Sequence, residues 1–152
     1  MSLDMYILKK YYVGANYDHR KVTGTIEIYE RDKKLNINFN EVRHIECEAI
    51  HWESMDFIHN WFVYFVQGGE DDCKQYYVER KQLKELLNTC NKILENRELA
   101  EDLLPTEKEF YFENGTYNET YFDNLEMVVG TLSKLDIAGD DYSFEYYYES
   151  AW

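Results

Sequence analysis

Tyr142-Ser143-Phe144-Glu145-Tyr146-Tyr147-Tyr148-Glu149-Ser150-Ala151-Trp152 closes the chain. Tyr142, Phe144, Tyr146 and Tyr148 alternate with Ser143, Glu145, Tyr147 and Glu149, the period of two that a strand with one buried face requires. The hundred residues before it read mostly as helices, and the start of the chain reads as strands. Strands early, helices later and one strand returning is the ordering of an α+β fold. The expectation is a mostly antiparallel sheet with three or four helices packed on one face.

Working back from that strand, Gly139, Asp140 and Asp141 form a loop. Tyr121, Phe122, Leu125, Val128, Val129, Leu132 and Leu135 share one helical face behind an N-cap at Asn118, and Gly130 inside this helix predicts close packing against a neighbour. Residues 109–112 read as a short strand and Asn114-Gly115 as a turn. A short helix over 98–104 ends at Pro105. Leu83, Leu86, Leu87, Cys90, Ile93 and Leu94 recur at three and four, the clearest amphipathic helix of the chain. Residues 75–78 read as a short strand. Ser54 reads as the N-cap of a helix that Gly68 stops, with Asp56 in its first turn. Phe57, Ile58, Trp61, Phe62, Val63, Tyr64, Phe65 and Val66 make that helix apolar nearly all round, so it is expected at the centre of the core.

Towards the N-terminus, residues 40–53 fit either period, and a short helix near Asn40 followed by an extended stretch is expected. Residues 22–29 and 35–39 alternate cleanly on either side of Arg31-Asp32-Lys33-Lys34, a β-hairpin signal without Asn-Gly at its turn. Residues 5–13, rich in Tyr and Ile, form the first strand.

Composition bounds the rest. With 152 residues, 45% hydrophobic and 17% aromatic, the chain is long enough for one domain, residues 1–152, with its own core. The net charge is −14. It is unevenly spread: residues 98–152 hold 14 acidic and 2 basic residues, together with 12 of the 26 aromatics. A folded segment of that kind presents an anionic, Tyr-rich field. No apolar run approaches the roughly 18 residues a membrane span needs. The start of the chain shows no charged-then-apolar leader pattern. Three cysteines without paired spacing fit reduced thiols, and therefore a cytoplasmic location.

Few residues carry a chemistry. His44, Cys47 and His51 would share one helical face, with His59 eight residues further on, and zinc accepts such ligands. A strand would separate His44 from Cys47 and His51. Glu70, Asp71 and Asp72 offer carboxylate oxygens to a hard cation but lack the spaced loop of an EF-hand. Cys73 sits beside those anions, which disfavour its thiolate. Nucleophile-elbow, phosphate-loop, dinucleotide-binding and zinc-protease motifs are all missing. The reading therefore leans away from an enzyme, and no catalytic residue or cofactor is assigned. Lys9-Lys10 beside Tyr11-Tyr12 resembles a nucleic-acid surface locally, but the overall charge would repel a polyanion.

One longer stretch carries a resemblance. His59-Asn60-Trp61-Phe62-Val63, then Val66-Gln67, Gly69, Asp71-Asp72-Cys73, with Tyr76-Tyr77-Val78, Leu103-Leu104-Pro105-Thr106 and the terminal Tyr-rich strand, is similar to a family of small acidic proteins of phages, prophages and bacteria. Tyr12-Val13-Gly14-Ala15 extends the similarity to nearly the whole chain. The resemblance implies a phage or prophage accessory origin and brings no catalytic residue with it.

Three functional readings follow. The first is an interaction protein whose acidic third, through Glu107, Glu109, Glu113, Asp140, Asp141, Glu145 and Glu149, engages a basic host protein or a nucleic-acid-binding protein. Its anionic face would stand in for phosphates. The second is an enzyme or metal protein using Glu70, Asp71, Asp72, Cys73 and nearby histidines. The third is a structural homodimer paired through residues 142–152 as an edge strand.

Overall fold

In a computed structural model, residues 2–14, 18, 24–106 and 117–152 are described. The expected strand over 109–112 and the turn at 114–115 lie outside them. Among the described residues, six strands and four α-helices follow one another: β1 (Asp4–Tyr12), β2 (Ile28–Glu30), β3 (Lys33–Leu35), β4 (His44–Glu53), α1 (Asp56–Phe65), β5 (Tyr76–Val78), α2 (Arg80–Glu95), α3 (Ala100–Leu103), α4 (Glu119–Leu132) and β6 (Phe144–Ala151). Four strands form one antiparallel sheet in the order β4-β1-β6-β5, and β2 and β3 form a separate hairpin. The fold is α+β, as the order of the sequence signals predicts.

The returning strand is not an edge. β6 lies between β1 and β5, with Asp4 opposite Ala151 and Tyr11 opposite Phe144. Its Phe144, Tyr146, Tyr148 and Ser150 are buried, so this strand is core and not a free pairing edge. The sheet edges are β4 and the three-residue β5, the first acidic and bulged, the second short, two ordinary ways of blunting an edge.

One sheet face packs on helices. Met5 and Ile7 of β1, Ile50 and Trp52 of β4, Val78 of β5 and the buried β6 side chains meet α1, α2 and α4 in a single core. The Phe62 ring lies flat on Tyr148 at 3.9 Å between centroids, a contact worth about 0.5–1.5 kcal/mol beyond the area it buries. Trp52 donates its indole N–H to Thr131 Oγ1 of α4 at 3.0 Å, so the largest core side chain leaves no orphan donor. A capping box between Glu79 and Gln82 opens α2, and Asn118 Oδ1 accepts from the Tyr121 amide at the start of α4.

Arg80 ties the loop before β6 to this layer. Its guanidinium donates to the carbonyls of Asp136 (2.6 Å), Gly139 (3.3 Å) and Asp141, and stacks over the Phe144 and Tyr146 rings.

Four local expectations are corrected. α1 begins at Asp56 with Met55 as its N-cap. Ser54 instead takes a left-handed φ of 54° and turns the chain out of β4. Tyr64 and Phe65 in the last turn of α1 are exposed, so the helix is buried nearly all round from Asp56 to Phe62 but open at its C-terminal end. The hairpin turns at Arg31-Asp32, and Lys33 and Lys34 belong to its second strand. Gly130 faces solvent, where an added Cβ would meet nothing within 4 Å, so it marks no close packing. The ambiguous stretch resolves as expected, into a 3-10 turn over Phe39–Glu41 followed by β4.

A bulge in β4 decides what the other sheet face carries. Ile7 pairs with Ile50 but Leu8 pairs with Glu48, leaving Ala49 unpaired. Strict alternation would have put Glu48, Glu46 and His44 on the helix side with Ile50 and Trp52. The extra residue moves all three to the open side, where His51 and Glu53 already point.

Candidate functional site: the open face of the sheet

The face opposite the helices is built from alternate residues of four strands. β1 contributes Asp4, Tyr6, Leu8, Lys10 and Tyr12, β4 contributes His44, Glu46, Glu48, His51 and Glu53, β6 contributes Glu145, Tyr147 and Glu149, and β5 contributes Tyr77. Strand register fixes the pairs: Asp4 opposite Glu53, Tyr6 between His51 and Glu149, Leu8 between Glu48 and Tyr147, Lys10 between Glu46 and Glu145. Among the described residues, six carboxylates thus face outward against one lysine. Carboxylates two residues apart on one strand stand roughly 6.6 Å apart, so the array is regular.

Lys10 Nζ donates to Gln75 Oε1 at 2.8 Å, pairs with Glu46 at 3.5 Å and lies 4.4 Å over the Tyr147 ring. The Gln75 amide bridges onward to Glu46 (3.2 Å) and Glu149 (2.9 Å). One cation and one amide therefore organise two carboxylates. Tyr147 donates its hydroxyl to Glu145 at 2.9 Å, and burial followed by that carboxylate pushes the phenol up.

At the other end, His51 Nε2 lies 2.9 Å from Asp4 Oδ1 and 3.9 Å from Glu53 Oε1. The Tyr6 ring stacks on the imidazole at 4.7 Å and 8°. Desolvation raises the Tyr6 phenol, and the carboxylates of Asp4, Glu48, Glu149 and Glu53 raise it further.

The residues singled out in the sequence are distributed as follows. Glu145 and Glu149 lie on this face. Asp140 and Asp141 lie in the loop before β6, where the Asp141 carboxyl is held low by Ser143, through its side chain and then its amide at 2.9 Å. Glu107, Glu109 and Glu113 lie outside the described residues.

His44, Cys47 and His51 are strand residues, so they share no helical face. Cys47 sits on the helix side of β4. His44 stands opposite Tyr12 and His51 opposite Tyr6, at opposite ends of the strand and about 20 Å apart. Glu70, Asp71 and Asp72 are adjacent in the sequence but their groups point to different partners. The Glu70 carbonyl takes the Gln67 amide, Asp71 takes His59 and Trp152, and Asp72 takes Lys74 at 2.6 Å and the Tyr76 hydroxyl. The Lys74 ammonium, first among its partners, holds the Asp72 carboxyl below its ordinary range. Cys73 is exposed. Among the described residues, the side chains whose ligand atoms converge within 4.8 Å are Asp4, His51 and Glu53.

Asp4, Tyr6, Glu46, Glu48 and Glu53 were not foreseen as site residues. The alternation of Asp4, Tyr6 and Lys10 with Met5, Ile7 and Lys9 marks an open face. Which residues of another strand stand across from them is a matter of register, and the register here turns on the Ala49 bulge.

A second polar cluster is buried. His59 of α1 is 4% exposed, and its two ring nitrogens meet Tyr148 Oη at 2.7 Å and Asp71 Oδ1 at 2.9 Å. An ionised carboxylate only accepts, so Nε2 carries the proton towards Asp71 and the Tyr148 hydroxyl donates to Nδ1. Trp152 donates its indole N–H to the same Asp71 oxygen at 3.2 Å. Burial drives the Tyr148 phenol far above its ordinary value, so it stays protonated. The cluster pins the Gly68–Cys73 loop and the last residue of the chain to the core.

Among family models, curated proteins and solved structures, none matches this chain.

Proposed function

We propose that this chain is a protein–protein interaction module that presents the open sheet face to a basic surface on its partner. The observation that carries this reading is the six outward carboxylates, fixed by strand register and opposed, among the lysines and arginines of the described residues, by Lys10 alone on this face. Such a field steers a cationic partner and raises its association rate. Tyr77, 54% exposed, supplies a ring face on which a lysine or arginine head can settle beside the carboxylates. The acidic C-terminal third contributes to this surface through β6, and β1 and β4 supply the rest. A phage or prophage origin makes a host nucleic-acid-binding protein the partner class, with the carboxylates taking the place of phosphates. The protein itself does not bind nucleic acid on this reading. Cys47, Cys73 and Cys90 are all free thiols, which suits the cytoplasm. No helix among the described residues is long and apolar enough to cross a membrane.

The test is binding of a fluorescent arginine-rich peptide at about 50 and 300 mM salt, where screening shortens from about 14 to about 6 Å. Glu46→Lys and Glu48→Lys change two exposed strand positions. The expected result is binding that weakens with salt in the parent and at least tenfold on charge reversal. Equal affinity for parent and variant, or indifference to salt, overturns the reading.

A further inference from the structure

Asp4, His51 and Glu53 stand together at the corner of the sheet where β1 begins and β4 ends. Asp4 and Glu53 are directly paired across the two strands, and His51 is two residues before Glu53 on the same face. His51 Nε2 is 2.9 Å from Asp4 Oδ1 and 3.9 Å from Glu53 Oε1, and the three ligand atoms lie within 4.8 Å of one another. Around an ion with bonds of about 2.0–2.2 Å, neighbouring ligand atoms are about 3.0–3.5 Å apart. The Asp4–His51 edge is therefore close to formed. Glu53, whose side chain is 67% exposed, closes the remaining gap by rotating freely in solvent.

Two further observations point the same way. The stacked Tyr6 ring fixes the plane of the imidazole. The local charge is also unbalanced. The ion pairs of Asp4 and Glu53 among the described residues are with His51 alone, while Glu48 and Glu149 add negative charge around the same tyrosine.

We propose that Asp4, His51 and Glu53 form a binding site for a divalent first-row transition ion of the zinc class. One imidazole nitrogen and two carboxylate oxygens suit zinc, cobalt, nickel or copper better than calcium or magnesium, which prefer oxygen throughout. Two carboxylates neutralise the ion, and the exposed position leaves the rest of its coordination sphere to water. The site uses none of the Glu70, Asp71 and Asp72 loop, and it stands whether or not the sheet face docks a partner.

The experiment is calorimetric titration of untagged protein with zinc, repeated with cobalt so that the ligand-field spectrum reports the donor set. Saturable binding at one ion per chain is expected, with nitrogen and oxygen but no thiolate character in the cobalt spectrum. His51→Ala and Asp4→Asn should each weaken it at least tenfold while far-UV circular dichroism is unchanged. His44→Ala and the pair Cys47→Ser with Cys73→Ser should leave it intact, since exposed thiols are the rival zinc ligands. Zinc binding unaffected by both His51→Ala and Asp4→Asn overturns the assignment. So do its loss in the cysteine variant and the absence of saturable binding.

Discussion

His59 offers the sharpest test of how the core is held. Replacing it with Leu removes two hydrogen bonds, yet their two outer ends fare differently. The Asp71 side chain is 48% exposed and can rehydrate, whereas Tyr148 is fully buried and its hydroxyl is left without its imidazole partner. Orphaning a buried hydroxyl costs about 1–3 kcal/mol, so His59→Leu should destabilise by about 2 kcal/mol. Tyr148→Phe leaves His59 Nδ1 unpaired instead and should cost about as much. In the double variant both buried ends leave together, and the loss should stay near about 2 kcal/mol instead of summing to about 4. The coupling of about 2 kcal/mol is a large share of the about 5–15 kcal/mol that holds a domain of this size. Urea unfolding followed by tryptophan fluorescence measures it, provided the four proteins share one slope. Additivity within about 0.5 kcal/mol would refute the reasoning, because it would mean that the buried ends are not each other's partners.

Thiol reactivity should separate the cysteines cleanly. Cys47 and Cys73 are exposed and should react with Ellman's reagent in the native protein. Cys90 is buried, its thiol pushed up to about 12 by desolvation, and should react only on unfolding. Because the folded state holds that proton more tightly, its contribution to stability is complete below the ordinary thiol value of about 8.5 and is lost as pH rises towards 12. Melting temperatures should therefore fall on the alkaline limb, and Cys90→Ala should flatten part of that fall. Gly130→Ala should stabilise by about 1 kcal/mol in thermal or urea melts, since the position is helical, exposed and empty around a new Cβ.

The sequence and the structure agree where periodicity is strong and local. The Leu83 to Leu94 spacing, the Asn118 cap and the alternation of Phe144, Tyr146 and Tyr148 each encode one element, and each is present. Disagreement appears where a single residue's role depends on its surroundings. Ser54 has the chemistry of an N-cap but is used for a left-handed turn, and Gly130 has the signature of close packing but meets solvent. The candidate site was legible only in pieces. Net charge pointed to β6 and the loops around it. Half the anionic face comes instead from β4, and two of its three carboxylates, Glu46 and Glu48, point outward only because Ala49 slips out of the ladder. Pairing across strands is a long-range property, and short-range patterns do not carry it.

The sheet order has a temporal consequence. Its central pair joins β1 to β6, Asp4 opposite Ala151, so the two middle strands are the most widely separated in the sequence among the strands of this sheet. Until β6 is available, Met5 and Ile7 have no neighbour on one side, and α1, α2 and α4 have half a sheet to pack on. Closing so long a loop costs entropy before any contact repays it, and topologies of this kind fold slowly. The sheet therefore cannot be completed until β6 has joined both β1 and β5.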